Sequence, residues 1–318
     1  MDRFTVLATP RSFARNDPAP LRLLEEHGCD VIRLPLPGGS LEEQLNAYIS
    51  QADGIVAGLE PYPATLLERA GRLKVISRYG VGYDKVDLEA ARRLGIRVAI
   101  TPGANSDSVA DLAMALMLAA ARNICPMDAA IRAGRQDKPL PGGEMWRKTL
   151  GVVGTGRIGK GVIRRAGGFS MHILAYDAFP DPEFLQTHGG EYTDLDTLFR
   201  ESDFITLHAP LTDKTKNLVD ARRLALMKPT AVLVNTARGG IVDEDALFQA
   251  LSTHQIAAAA LDATLEEPAC GSPLARLPNC ILTPHAGAAT AEAALGMGML
   301  AAQNLLDVLL GRDCPNLV

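Results

Sequence analysis

At 318 residues, with 47% hydrophobic and 22% charged residues, the chain is long enough for two domains that each bury a core, and its composition is ordinary for a globular enzyme. A formal net charge of −5 argues against a general nucleic-acid or anionic-membrane surface, although a local basic pocket is compatible with it. Cys29, Cys125, Cys270, Cys280 and Cys314 are scattered, odd in number and contain no Cys-x-x-Cys pair, so neither a disulfide framework nor a metal site is implied.

In chain order, residues 1–10 read as a first strand rather than a signal peptide, and no apolar run is long enough to span a bilayer. A cytoplasmic location is expected, with neither membrane nor nucleic acid as a partner. The β-rich runs 4–8, 31–34, 54–57, 74–77 and 97–100 alternate with helical patterns such as 41–50 and 63–69. A second series follows at 150–153, 172–176, 204–208, 231–235, 257–261 and 281–283. Such alternation predicts α/β architecture with parallel sheets. Ala52-Asp53-Gly54-Ile55-Val56 is echoed by Ser202-Asp203-Phe204-Ile205-Thr206, which supports two similar folds.

Ser108-Val109-Ala110-Asp111 resembles a capping box that opens the apolar run 112–121. A second long helix, about 289–310, would return the chain to the first domain. The expected division is an outer domain of 1–100 plus 288–318 and an inner domain of 101–287. The Gly- and Pro-rich stretch 134–147, which holds the single Trp146, reads as an exposed arm.

Gly154-Thr155-Gly156-Arg157-Ile158-Gly159 sets Gly-x-Gly-x-x-Gly directly after a buried strand. Gly154 permits the sharp turn, Gly156 permits backbone approach to a pyrophosphate, and Gly159 permits close helix–strand packing. The N–H groups and positive dipole end of the next helix then face the phosphates. The following strand ends in Asp177, whose carboxylate can accept from the adenosine ribose hydroxyls and repel a 2′-phosphate. NAD is therefore expected over NADP.

Three further segments end strands of the second series: Val234-Asn235-Thr236-Ala237-Arg238, Leu261-Asp262 through Glu267-Pro268, and Thr283-Pro284-His285-Ala286-Gly287. Ligands collect beyond the carboxyl ends of parallel strands, so Arg238, Glu267 and His285 form a candidate acid–base set. With the loop Arg78-Tyr79-Gly80-Val81-Gly82-Tyr83-Asp84, Thr101-Pro102-Gly103-Ala104-Asn105 and His208-Ala209-Pro210-Leu211-Thr212, these motifs run through nearly the whole chain. In this order they resemble the D-isomer-specific 2-hydroxyacid dehydrogenases, the family that includes D-3-phosphoglycerate dehydrogenase.

The resemblance implies two Rossmann-like or flavodoxin-like parallel-sheet domains with an active-site cleft between them. It also implies a homodimer, formed through an arm at about 123–148. Arg238 would bind the substrate carboxylate and carbonyl oxygen, where its planar fork suits both. His285 would donate the proton in reduction and accept it in oxidation. Glu267 would hold the ring and favour its protonated form, and Asp262 would bind the nicotinamide carboxamide. Val81 and Gly82 would clamp the substrate carboxylate through backbone N–H groups. His208, Ala209, Pro210, Thr215, Thr236, Ala237, His285 and Gly287 would line the cofactor, with His208 shaping that site rather than performing chemistry.

Ala263 and Thr264 depart from the Val and Phe usual in relatives and are expected to loosen packing there. Lys85 replaces a usual Asn, and Glu267 argues against formate dehydrogenases, which carry Gln. Arg78 beside the carboxylate loop is expected to meet a substrate phosphate, which favours oxidation of 3-phosphoglycerate to 3-phosphohydroxypyruvate and a place in serine biosynthesis. The alternatives are a glyoxylate/hydroxypyruvate reductase and, from another class, an NAD-sensing regulator akin to the C-terminal binding protein corepressors.

Overall fold

The computed structural model describes residues 3–135 and 138–318. Residues 136 and 137 of the expected arm, and residues 1 and 2 before the first strand, lie outside the described residues. The chain divides into two compact units, one of Met1–Asn105 with Ala288–Val318 and one of Ser106–Gly287.

The first unit is a five-stranded sheet of β1 (Phe4–Ala8), β2 (Cys29–Arg33), β3 (Gly54–Ala57), β4 (Val75–Arg78) and β5 (Arg97–Ala99). All neighbours are parallel, in the order β2-β1-β3-β4-β5. Successive residues serve opposite faces, as the two-residue period of a strand requires. Val6, Val56 and Val75 pack with Ala301, Leu305 and Leu309 of the helix Ala291–Leu309. Leu7, Ile55 and Ile76 face a second core with Leu45, Tyr62 and Leu67.

The second unit is a seven-stranded parallel sheet of β6 (Thr149–Val153), β7 (His172–Tyr176), β8 (Gly190–Tyr192), β9 (Phe204–Leu207), β10 (Val232–Asn235), β11 (Ala258–Leu261) and β12 (Cys280–Leu282). Its order is β12-β11-β10-β9-β6-β7-β8. The chain runs outward from β6 to β8 and then crosses to β9 on the other side. The carboxyl ends of β6 and β9 thus form the topological switch point where such sheets bind ligands. Both faces are covered, Val152, Val232 and Val234 by one core and Leu174, Ile205 and Leu233 by the other. Burial on both sides explains why these strands read as continuous apolar runs.

The first long helix is Ser106–Ala121, so Ser108 lies inside it rather than capping it. Asp111, the expected capping-box acid, instead accepts from Arg165 Nε at 2.5 Å. Arg165 also reaches Asp107 Oδ1 at 3.1 Å, which ties the helix to Arg157–Ala166. The short strand β8 has no counterpart in the sequence pattern: three partly exposed residues at a sheet edge carry no alternating apolar signal. Among the described residues, no single helix is long and apolar enough to cross a membrane.

Candidate active site

The glycine loop follows β6 at the switch point. Gly154 has φ +95°, and a Cβ there would lie 2.7 Å from the His208 carbonyl carbon. A Cβ on Gly159 would lie 2.0 Å from Gly154 O, so the helix can start this close to the strand only as glycine. At Gly156 the demand is reversed: nothing lies within 4 Å of a built Cβ. Open space there, in front of exposed Arg157 and half-buried Ile158, is what an approaching pyrophosphate requires. Gly156 is the N-cap of Arg157–Ala166 and offers no side-chain cap, so the residues present fit a dinucleotide.

Asp177, just beyond β7, braces this loop. Its Oδ2 accepts from Thr155 N at 2.5 Å and Thr155 Oγ1 at 3.1 Å, and its Oδ1 accepts from Phe179 N at 2.8 Å. A carboxylate offers about four acceptor positions, so one further bond to a ribose hydroxyl fits beside these three.

Beyond β9, burial holds the His208 ring down to a pKa of about 3, which leaves it neutral near pH 7. Its Nε2 is 2.9 Å from Thr206 Oγ1, and its Nδ1 is 3.4 Å from the hydroxyl of buried Thr236. Thr215 Oγ1 donates to Pro210 O at 2.6 Å and accepts from Thr212 N at 2.7 Å. The Thr215 hydroxyl thereby shapes the loop that presents Ala209 and Pro210.

The three acid–base candidates stand beyond β10, β11 and β12. Asn235, the last residue of β10, donates from Nδ2 to Arg238 O at 2.8 Å and accepts at Oδ1 from Ala237 N at 3.0 Å. This closes a tight turn, and Arg238 Nη1 donates to Ala237 O at 2.7 Å. Next to it, a Cβ on Gly239 would lie 2.1 Å from Thr264 O, so the loops after β10 and β11 touch backbone to backbone. Thr264 donates from Oγ1 to Glu266 O at 2.8 Å. In place of the looser loop expected at Thr264, a hydrogen bond fixes the turn into Glu267.

His285 Nδ1 lies 2.9 Å from Glu267 Oε1, and each side chain is about a quarter exposed, at 26% and 27%. The ring is thus oriented by a carboxylate at one nitrogen, which leaves Nε2 as its outward-acting end. His285 has a left-handed backbone, φ +54°. That conformation is uncommon for a residue with a Cβ and is held only where the surroundings over-determine it.

Asp262 supplies those surroundings. Its Oδ1 accepts from Thr283 Oγ1 at 2.6 Å and Ala286 N at 2.7 Å, and its Oδ2 from Gly287 N at 2.8 Å. Its own carbonyl accepts from His285 N at 3.1 Å. Buried and bound three times, the Asp262 carboxylate holds the histidine turn. Gly287 takes part in that turn through the same carboxylate. Neither Asn235 nor this use of Asp262 follows from the sequence pattern; a buried polar residue ending a strand is the available signal.

In the first unit, the loop after β4 carries Val81 and Gly82. Arg78 is 3% exposed, and its Nε donates to Gly82 O at 2.8 Å. The guanidinium is folded under its own loop. The expectation that Arg78 stands at a substrate mouth to meet a phosphate is corrected accordingly. Among the described residues, no group of three or more His, Cys, Asp or Glu side chains is placed to hold a metal.

Residues 114–287 match the family model described as D-isomer specific 2-hydroxyacid dehydrogenase, NAD binding domain. The chain is 48% identical over 261 residues to a glyoxylate reductase of Thermococcus litoralis, covering 80% of this chain and 79% of that one. It is 44% identical over 302 residues to a D-3-phosphoglycerate dehydrogenase of Methanocaldococcus jannaschii, covering 94% of this chain but only 57% of that longer protein. The solved TT0316 protein of Thermus thermophilus superposes with a TM-score of 0.88 at 40% identity, covering 99% of both chains. The family match spans more than half of the sequence, and the relatives span most of it. The chain therefore belongs to the D-isomer-specific 2-hydroxyacid dehydrogenases and is an NAD-dependent oxidoreductase acting between 2-hydroxy and 2-keto acids.

Proposed function

We propose that the chain is a reductase of a small, unphosphorylated 2-keto acid of the glyoxylate or hydroxypyruvate class. The observation that carries the chemistry is the His285–Glu267 pair, 2.9 Å apart on a turn that Asp262 holds rigid. Bound NADH would supply the hydride that reduces the keto carbon. Arg238 binds the carboxylate and polarises the carbonyl, and His285 Nε2 delivers the proton to its oxygen. The backbone N–H groups of Val81 and Gly82 receive the carboxylate, as glycine-rich turns receive anions. Asp177 selects NAD.

The choice of acid rests on Arg78. Its guanidinium is buried and engaged with Gly82 O, which favours an unphosphorylated acid. Oxidation of 3-phosphoglycerate is the second reading, favoured by 44% identity to the Methanocaldococcus jannaschii enzyme over 94% of the chain. Steady-state kcat/KM on glyoxylate, hydroxypyruvate and 3-phosphohydroxypyruvate decides between them. A preference for the phosphorylated acid that disappears in Arg78→Ala would overturn the first reading.

We further propose a homodimer built through the segment that includes the helix Ile124–Arg132. Support comes from Ile131 at 71% exposure and from half-exposed Ile124 and Trp146, large apolar side chains grouped in one stretch of sequence. Light scattering at micromolar concentration checks it; a monomer mass would refute it.

A further inference from the structure

In the first unit, a polar network lies beyond the carboxyl ends of β1, β3 and β4, and the reaction chemistry does not use it. Glu60 Oε1 accepts from Thr9 Oγ1 at 2.5 Å, from Gly58 N at 2.9 Å and from Tyr62 Oη at 2.5 Å. Gly58 N also reaches Thr9 Oγ1, at 2.8 Å. Tyr62 is completely buried, and burial, with the charge of Glu60, pushes its hydroxyl well above the ordinary tyrosine range. It therefore stays a neutral donor at every working pH. Converging three donors on one carboxylate oxygen is a costly arrangement to leave half-satisfied. Its location beside the loop after β4 gives it something to hold.

The far end of that loop is tied to the segment Glu60–Tyr62, and its near end begins at Arg78, whose charge acts on the Tyr62 hydroxyl. At the far end, Tyr62 forms a parallel bridge with Val86: Tyr62 N donates to Lys85 O at 2.8 Å, and Asp87 N donates to Tyr62 O at 3.1 Å. At the near end, Arg78 lies within electrostatic reach of the Tyr62 hydroxyl and grips Gly82 O through Nε at 2.8 Å. Gly80, at φ +147°, makes the bend between them, and its carbonyl accepts from Thr101 N at 3.0 Å. Loop residues 79–84 thus hang between the Arg78–Gly82 bond and the Tyr62 bridge, and the Tyr62 hydroxyl is held by the Glu60 carboxylate.

We infer that Glu60 is a positioning residue for the substrate carboxylate: by fixing Tyr62 and, through it, the surroundings of Arg78, it pre-sets the direction of the Val81 and Gly82 N–H groups. The inference rests on the proposed role of that loop. Pre-organised donors lower the ordering cost of binding, so losing the network acts on substrate affinity and leaves the chemical step alone.

The test compares Glu60→Ala, Glu60→Gln, Tyr62→Phe and Val81→Pro, the last of which deletes a loop N–H. Glu60→Ala and Tyr62→Phe should each raise KM for the keto acid about tenfold, with kcat and the NADH Kd (by fluorescence quenching) within about twofold of wild type. Glu60→Gln, which keeps an acceptor oxygen, should recover most of the loss. A folded Glu60→Ala with unchanged KM, beside a Val81→Pro whose KM rises, overturns the inference and leaves the loop's role standing. An unchanged KM in Val81→Pro overturns the loop's role itself, and the inference with it. Parallel losses in kcat, NADH affinity and Tm indicate a purely structural role and also overturn it. Should Glu60→Ala fail to fold, Tyr62→Phe decides by the same readings.

Discussion

His285 carries its strain where the proton moves, and Asp262 is what makes the strain bearable. Three hydrogen bonds on one buried carboxylate hold the turn at φ +54°. Removing His285 by substitution with Ala is expected to lower kcat by about 10²–10⁴, the usual worth of a positioned general acid. Asp262→Ala should cost a comparable amount without touching the proton. The double variant should be scarcely worse than His285→Ala alone, because the two act as one unit. Fully additive losses in single-turnover rates would contradict this.

The residue types of the site are legible in the sequence: Arg238, Glu267 and His285 each follow a strand of a parallel sheet, and there the structure places them. Their supports are not legible. Which donors reach Asp262 depends on the backbone path of residues 283–287, and no spacing encodes that. Arg78 misleads for a similar reason, since a charge in a motif does not say whether it faces out or props its own loop.

His208 adds a pH dependence. Burial holds its pKa near 3 when folded, against an ordinary 6.5. Unfolding therefore takes up a proton below about pH 6.5, and the contribution to stability shrinks as pH falls from there toward 3. His208→Gln should show a smaller fall in Tm between about pH 7.5 and 5 than wild type. An equal fall would assign the acid sensitivity to other groups.

At the scale of elements, the echo between the two halves has a physical content. Asp53, before β3, accepts from Thr5 N of β1 at 2.8 Å and pairs with Arg72 at 3.0 Å. Asp203, before β9, accepts from Thr149 N of β6 at 2.9 Å and pairs with Lys228 at 2.9 Å. Each aspartate satisfies an N–H within the first two residues of the neighbouring strand and pins a cation from the following connection. Burial alone would raise the Asp203 pKa, but Lys228 and the Thr149 N–H outweigh it, and the net shift is downward. Its stabilisation is therefore complete above the ordinary carboxylate range and is lost as pH falls through it. Asp203→Ala should destabilise the second unit by about 1–3 kcal/mol, the cost of orphaning a partly buried donor; urea melts at neutral pH measure it.

Strand positions are legible to within two or three residues because apolar runs flanked by turns mark buried parallel strands. The helix start at Ser106 is hidden because Ser108 and Asp111 imitate a cap, although Arg165 claims the acid. Packing of the helix Ala291–Leu309 is testable in the same way. Leu305 is fully buried and sits against β3, where a Cβ on Gly54 would approach Leu305 Cδ2 to 3.0 Å. Leu305→Ala is expected to cost about 2–5 kcal/mol, read from the same urea melts.

For the whole molecule, the second unit is one uninterrupted stretch, Ser106–Gly287, while the first is assembled from both ends of the chain. Its C-terminal part does more than add a helix. Asn304 Nδ2 donates to Ile100 O at 2.9 Å, Asn316 Nδ2 donates to Asn304 Oδ1 at 2.9 Å, and Leu317 bridges Ala99 on the edge strand β5. The division into two sheets is legible from the two strand series; that the last residues close the first sheet's edge is not, since two or three bridging residues carry no period.

That arrangement sets an order on the ribosome. Synthesis runs from the N-terminus at about 5–20 residues per second, so the first sheet waits roughly 10–40 s between leaving residue 105 and receiving its covering helix. During that interval, Val6, Val56 and Val75 have no Leu305 or Leu309 to pack against. The half of the protein made first is thus the half that matures last, and the NAD-binding unit can be complete while its neighbour is still open. Nascent chains stalled soon after residue 287 has emerged should resist protease across 106–287 and be cut within 3–105. Equal protection of both stretches would show that the first sheet closes without its helix.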